Sequence, residues 1–187
     1  MGAKNLLLIT VAGKVHVAQY CPWDGYPTGQ GAVISKFLRE ANLDKFKSQV
    51  ESLKFVTPLE VNKLWKQCGT ENETACNIES DDLFLQRHPE FHQDTGAEIL
   101  NLIYQEKAHC LFNNATFISS ILCEYVYEIN LDFNTVILTI DGHLYNIYSI
   151  ENFSKKGTVC GIEYELKRSS KAMGKRLTRK FKQLECV

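Results

Sequence analysis

The stretch Leu122-Cys123-Glu124-Tyr125-Val126-Tyr127-Glu128-Ile129-Asn130-Leu131, with the residues that follow it to Tyr148, decides the reading of the fold. Cys123, Tyr125, Tyr127, Ile129 and Leu131 alternate with Glu124, Val126, Glu128 and Asn130, the period of a strand with one buried and one partly wet face. Asp132-Phe133-Asn134 turns the chain, and residues 135–140 form the next strand. Asp141-Gly142, the strongest two-residue hairpin signal in the sequence, returns it into residues 143–148. This spacing predicts a three-stranded meander. Residues 158–166 alternate again, with Cys160, Ile162, Tyr164 and Leu166 on one side, which predicts a fourth strand.

Upstream, residues 6–11 and 14–20 are β-type runs around Ala12-Gly13, read as a tight hairpin. Strict alternation puts Val15 and Val17 on one face with Gln19, and His16, Ala18 and Tyr20 on the other, so His16 reads as an exposed or edge residue. Between hairpin and meander the apolar period changes to that of helices. Val33, Ile34, Phe37, Leu38 and Ala41 predict one from about Gly31 to near Asn42, and residues 44–53 predict a second. Pro58–Gln67 predicts a third, with Thr57 as N-cap and Glu60 completing a capping box. Asp94-Thr95-Gly96-Ala97 leads into another apolar helix, and Gly31-Ala32-Val33-Ile34 matches Gly96-Ala97-Glu98-Ile99 at Gly, Ala and Ile. Residues 69–82, acidic and aperiodic, read as a surface loop. Near the C-terminus Met173, Leu177, Phe181 and Leu184 form an apolar stripe opposite six basic residues, a basic amphipathic helix at about 170–185. The expected architecture is a single α+β domain over residues 1–187: a mostly antiparallel sheet, N-terminal hairpin plus C-terminal meander, with packed helices.

At 187 residues, 44% hydrophobic and 23% charged, the chain has globular values and needs no disulfide staples to bury a core. The apolar run at 6–12 is too short for a membrane span and has no secretory cleavage pattern, so a soluble, cytoplasmic protein is expected. Seven cysteines, an odd number without a C-x-x-C pair, exclude a disulfide framework and predict mainly free thiols with no bound metal or cofactor. The sequons at Asn72, Asn114 and Asn152 carry no weight without a secretory route. Charge is asymmetric: residues 1–150 hold 11 basic and 18 acidic side chains, residues 151–187 hold 10 and 4. A basic helix docked on an acidic body is expected ahead of nucleic-acid binding, since no nucleic-acid motif accompanies it.

The functional reading centres on Gln19-Tyr20-Cys21-Pro22-Trp23-Asp24-Gly25-Tyr26-Pro27-Thr28-Gly29-Gln30-Gly31, which packs two prolines, three glycines, aromatics and a carboxylate into one loop before a helix. Gly29-Gln30-Gly31 joins free N–H groups to the positive end of a helix, a way of holding phosphate or carboxylate. Trp23 and Tyr26 offer stacking surfaces, Asp24 an acceptor for a base or ribose, and the loop glycines a close backbone approach. The segment lacks the third glycine of a dinucleotide fingerprint and the Gly-Lys-Ser/Thr of a P-loop. Cys21 with His16 draws a nucleophile and base, but nothing nearby in sequence lowers the thiol pKa. His88-Pro89-Glu90-Phe91-His92 departs from the zinc-protease order, and Pro89 suits a helix start, so a structural role is expected.

Met1-Gly2-Ala3-Lys4, the run from Val17 to Gly31, His88-Pro89 with Asp94 to Leu100, and Leu122-Cys123-Glu124-Tyr125 with Asp132 together resemble an uncharacterised protein family of phages, bacteria and fungi. The resemblance spans roughly residues 1–150, carries the specific W-D-G-Y-P-x-G-Q-G segment, and supplies no activity. A phage source would imply a role against host defence. The expected function is a non-enzymatic binding protein whose site comprises Tyr20, Trp23, Asp24, Gly25, Tyr26, Gly29, Gln30 and Gly31, taking a small anionic or nucleotide-like ligand. A host-protein partner, or a hydrolase or transferase using the same cleft, is the alternative. No catalytic residue is assigned.

Overall fold

A computed structural model describes residues 2–68, 78–116 and 123–168. The expected α+β architecture is present: a five-stranded, mostly antiparallel sheet with packed helices. The N-terminal hairpin pairs β1 (Asn5–Val11) with β2 (Lys14–Cys21) around Ala12 and Gly13, both at positive φ, the turn geometry that matches strand twist. Helices α1 (Gln30–Glu40) and α2 (Leu43–Ser52) follow, then a short strand β3 (Lys54–Phe55). Helix α3 (Pro58–Gln67) carries the expected capping box between Thr57 and Glu60. Next come α4 (Ile78–Arg87), two 3₁₀ turns (Pro89–Phe91 and Gln93–Glu98), α5 (Ile99–Tyr104) and β4 (Cys110–Leu111), which pairs in parallel with β3. The meander β5 (Tyr125–Asn130), β6 (Thr135–Ile140) and β7 (His143–Ser149) is as read from the sequence, and α6 (Ile150–Ser154) closes it.

The two β units join through a parallel β1–β5 pair, giving the order β2-β1-β5-β6-β7. Central β1 is buried at all seven positions, as a strand covered on both faces must be. On the inner face Leu7, Ile9, Tyr127, Ile129, Val136 and Leu138 pack against Ile34, Phe37, Phe46, Leu100 and Phe153 from the helices. On the outer face Leu6, Leu8, Ala18, Tyr20 and Cys123 form a smaller cluster. Ser35 Oγ donates to Phe153 O at 3.1 Å and Arg39 Nη1 to Ser154 O at 3.1 Å, tying α1 to α6.

Three expectations are corrected. Residues 158–168 are a helix, here α7, not a fourth strand. Val159 and Ile162 are buried and Leu166 packs on the core, an i, i+3, i+7 stripe, whereas Cys160 and Tyr164 of the supposed strand face are exposed. Val15 and Val17 do not share a face, because a bulge at His16 shifts the register between Ile9 and Thr10. Val15 thereby joins the outer cluster while Val17 enters the inner core, and His16 sits half-buried on an edge strand. Residues 78–82 belong to α4 and not to the surface loop read over 69–82, whose remainder lies outside the described residues, as does the basic helix expected at 170–185. No helix among the described residues is long and apolar enough to cross a membrane.

Candidate functional site

The loop from Cys21 to Gly29 connects β2 to α1 and is held from below by side chains of the central strands. Buried Asn5 on β1 donates its amide to Cys21 O at 3.3 Å and to Trp23 O at 3.2 Å. Gly25 N donates to Ala3 O at 2.8 Å, and a Cβ at Gly25 would stand 2.9 Å from that oxygen and from Asn5 Cβ, so only glycine lets the loop lie so close to the chain start. The hydroxyl of fully buried Tyr127 on β5 donates to Gly25 O at 2.9 Å, and burial pushes that hydroxyl's pKa well up, keeping it a donor.

The N–H groups at the helix entrance are engaged within the loop. Gly29 N donates to Tyr26 O at 2.9 Å, Gln30 N to Asp24 O at 2.8 Å and Gly31 N to Tyr26 O at 3.3 Å. Thr28 N reaches Glu163 Oε2 on α7 at 3.2 Å, and the Thr28 hydroxyl bonds the same oxygen. The protein's own Glu163 carboxylate therefore sits on Thr28, two residues ahead of α1. Lys167, 2.5 Å away, and Thr28 hold the Glu163 carboxyl below its ordinary pKa. A depressed folded pKa stabilises at pH values above the unfolded one, and that stabilisation is lost as pH falls through the folded value. Glu163→Gln is accordingly expected to melt below wild type at pH 7, the gap narrowing as pH is lowered to about 3. A pH-independent gap in thermal melts would count against the link.

Of the eight residues read as ligand-binding, the structure divides buried supports from exposed groups. Tyr20, Gly25 and Gly31 are buried, Gly31 against the Tyr127 hydroxyl. Gly29 is half-buried under Asp24. Gln30 turns inward, its Oε1 accepting from Ala97 N at 2.6 Å. Trp23 and Tyr26 are exposed at 53% and 41%, and Asp24 is exposed beside them at φ 54°. Tyr26 meets Tyr125 edge-on at 5.8 Å.

The Gln30 contact brings in the second Gly-Ala turn, at Gly96 (φ 46°), where a Cβ would lie 2.5 Å from the Gln30 oxygen. The two similar helix starts thus sit side by side, and Gln19 Nε2 adds a bond to His92 O at 3.0 Å. Neither residues 19–31 nor 88–100 hold a lysine or arginine. Asp24, Asp94 and Glu98 are exposed on them. A cleft of about 410 Å³ opens on this side, lined by Leu85, Gln86, Pro89, His92, Asp94 and Thr95.

Cys21 is a buried thiol that donates to Trp23 O at 3.3 Å. Burial raises its pKa, and Asp94 and Asp24 raise it further, so at neutral pH it is a protonated thiol. His16 lies five residues away along an extended strand, about 16 Å, too far to serve it as a base. Both histidines of the 88–92 segment make local bonds, His88 Nδ1 to Glu90 Oε1 at 3.2 Å and His92 Nδ1 accepting from Asp94 N at 3.1 Å, and Pro89 opens a 3₁₀ turn. Among the described residues no group of three His, Cys, Asp or Glu side chains is placed to hold a metal ion, and the five cysteines there are free thiols.

Sequence reasoning missed Asn5, Tyr127 and Glu163, the three side chains that fix the loop. Asn5 beside an apolar run and a tyrosine on the buried face of a strand are each a sign of a polar group needing a partner. Glu163 left no such sign. Compared with protein-family models, with curated proteins and with solved structures, the chain matches none.

Proposed function

We propose that the protein is a binding module whose fixed 22–28 loop presents Trp23, Asp24 and Tyr26 to a basic segment of a partner protein. The observation that carries this reading is the engagement of the α1 entrance N–H groups by loop carbonyls, with Glu163 on Thr28 just ahead of them, which leaves aromatic faces and carboxylates as the exposed chemistry. A lysine or arginine stacked over Trp23 gains a cation–π contact and pairs with Asp24 or Asp94. The same surroundings disfavour a phosphate: Asp24, Asp94 and Glu98 are exposed there, and residues 19–31 and 88–100 hold no lysine or arginine. The protonated, buried Cys21 supports binding over turnover. Were the source a phage, one of the settings of the family it resembles, the partner would be a host protein.

The test follows Trp23 fluorescence in a Trp65→Phe background, titrating arginine- and lysine-rich peptides against a panel of nucleoside mono-, di- and triphosphates. Peptides are expected to quench, and Asp24→Asn, which removes the charge but keeps the shape and tolerates the left-handed φ of 54°, to weaken that binding severalfold with a melting temperature within about 2 °C of wild type. Quenching by nucleotides alone would replace this reading with the nucleotide-like ligand, and an altered nucleotide in mass spectrometry would replace it with an enzyme.

A further inference from the structure

The sheet's two edges and two faces are finished differently. Edge strand β2 is covered, since Ala18 bridges to Asn113 and Asn114 N donates to Ala18 O at 3.3 Å. Edge strand β7 carries no lysine, charge or proline, the usual protections of an exposed edge. Its bulge at Tyr145 turns Leu144 and Ile147 to the same side, beside Thr139 and Ile137 of β6. There Leu144 and Ile147 are exposed at 61% and 53%, extending the apolar outer face beyond the cluster that covers β1 and β2.

We infer that this outer face of β6 and β7 is the docking surface for the chain's own C-terminal segment, residues 169–187. Its starting point is right: Tyr145 OH on β7 bonds Glu165 Oε2 on α7 at 3.0 Å. Arg168, the last described residue, then lies about 4.5 Å further along the helix axis. Residues 169–172 supply up to about 14 Å of chain leading from there toward the β7 edge. The stripe Met173, Leu177, Phe181 and Leu184 repeats at helical intervals over about 16 Å, comparable with the roughly 14 Å width of three strands. Charge is also matched. The segment holds six basic residues and one acidic, the rest of the chain 15 and 21, and half-buried Glu128 stands on the same face opposite Ile137.

The test is a double-mutant cycle in the full chain with Ile147→Ser and Phe181→Ser, read by thermal melting and sedimentation. A side chain left in water tolerates Ile147→Ser without effect. Under the docked arrangement each single substitution lowers the melting temperature by roughly 3–6 °C, the double falls no further than the larger single, and the protein sediments as a monomer throughout. An unchanged melt for Ile147→Ser, an unchanged melt for Phe181→Ser, or additive losses would overturn the inference. So would a wild-type dimer that Ile147→Ser dissociates, which would assign the face to a second copy.

Discussion

Gly29→Ala is expected to lower the melting temperature by roughly 4–12 °C and to abolish binding at the loop. A Cβ at this position would lie 2.3 Å from Asp24 O and 2.5 Å from both Asp24 Cγ and Oδ1. Neither group can retreat cheaply. Asp24 O accepts from Gln30 N at the first residue of α1, and Asp24 already holds a left-handed φ of 54° that few L-residues adopt. The methyl must therefore displace the loop from the helix, breaking the Gln30 N bond and carrying Trp23 with it. Gly161→Ala is the matched control, since nothing lies within 4 Å of its Cβ and α7 gains a better helix former. It should raise the melting temperature slightly. If Gly29→Ala melts with wild type, the close packing of Asp24 over Gly29 is wrong.

Tyr127 is the second position with a large expected effect, and two substitutions separate its parts. Tyr127→Phe keeps the ring in the core but removes the only described donor to Gly25 O, leaving a buried carbonyl unpaired at a cost of about 1–3 kcal/mol. Tyr127→Ala also removes a fully buried ring that meets Phe153 and Tyr125, and large-to-small changes of this kind cost about 3–5 kcal/mol. The ordering wild type, Phe, Ala in melting temperature follows. Trp23 emission in the Trp65→Phe background adds a readout specific to the loop: Tyr127→Phe should shift it while leaving the far-ultraviolet circular dichroism spectrum unchanged. An unshifted emission would mean that the hydroxyl does not position the loop.

What the sequence made legible was local. Asp141-Gly142, Ala12-Gly13 and the Thr57–Glu60 box name their turns and caps through residues within four positions of one another. The meander was legible because β5 to β7 are joined by short turns that fix partner and direction. Residues 158–166 were misread because Ile162 and Leu166, four apart, fit both the two-residue period of a strand and the i, i+4 spacing of a helix, and only Val159 distinguishes them. The bulge at His16 was invisible, since one extra residue changes facing without changing composition. At the site, the loop's existence was legible from its prolines and glycines. Which of its groups face outward was not, because Asn5, Tyr127 and Glu163 come from three distant elements.

The parallel pairing of β1 with β5 has a bearing on how the chain is made. Asn5 lies opposite Tyr125, so the centre of the sheet awaits a partner synthesised about 120 residues later. At 5–20 residues per second, the N-terminal hairpin leaves the ribosome roughly 6–24 s before its neighbouring strand exists. During that interval Leu6, Leu8 and Ile9 sit on an open strand edge, the state most exposed to wrong pairing. Contacts of such sequence separation also place the protein among slow folders. A nascent chain halted before residue 125 is therefore expected to be a client of chaperones, and synthesis speed a determinant of yield.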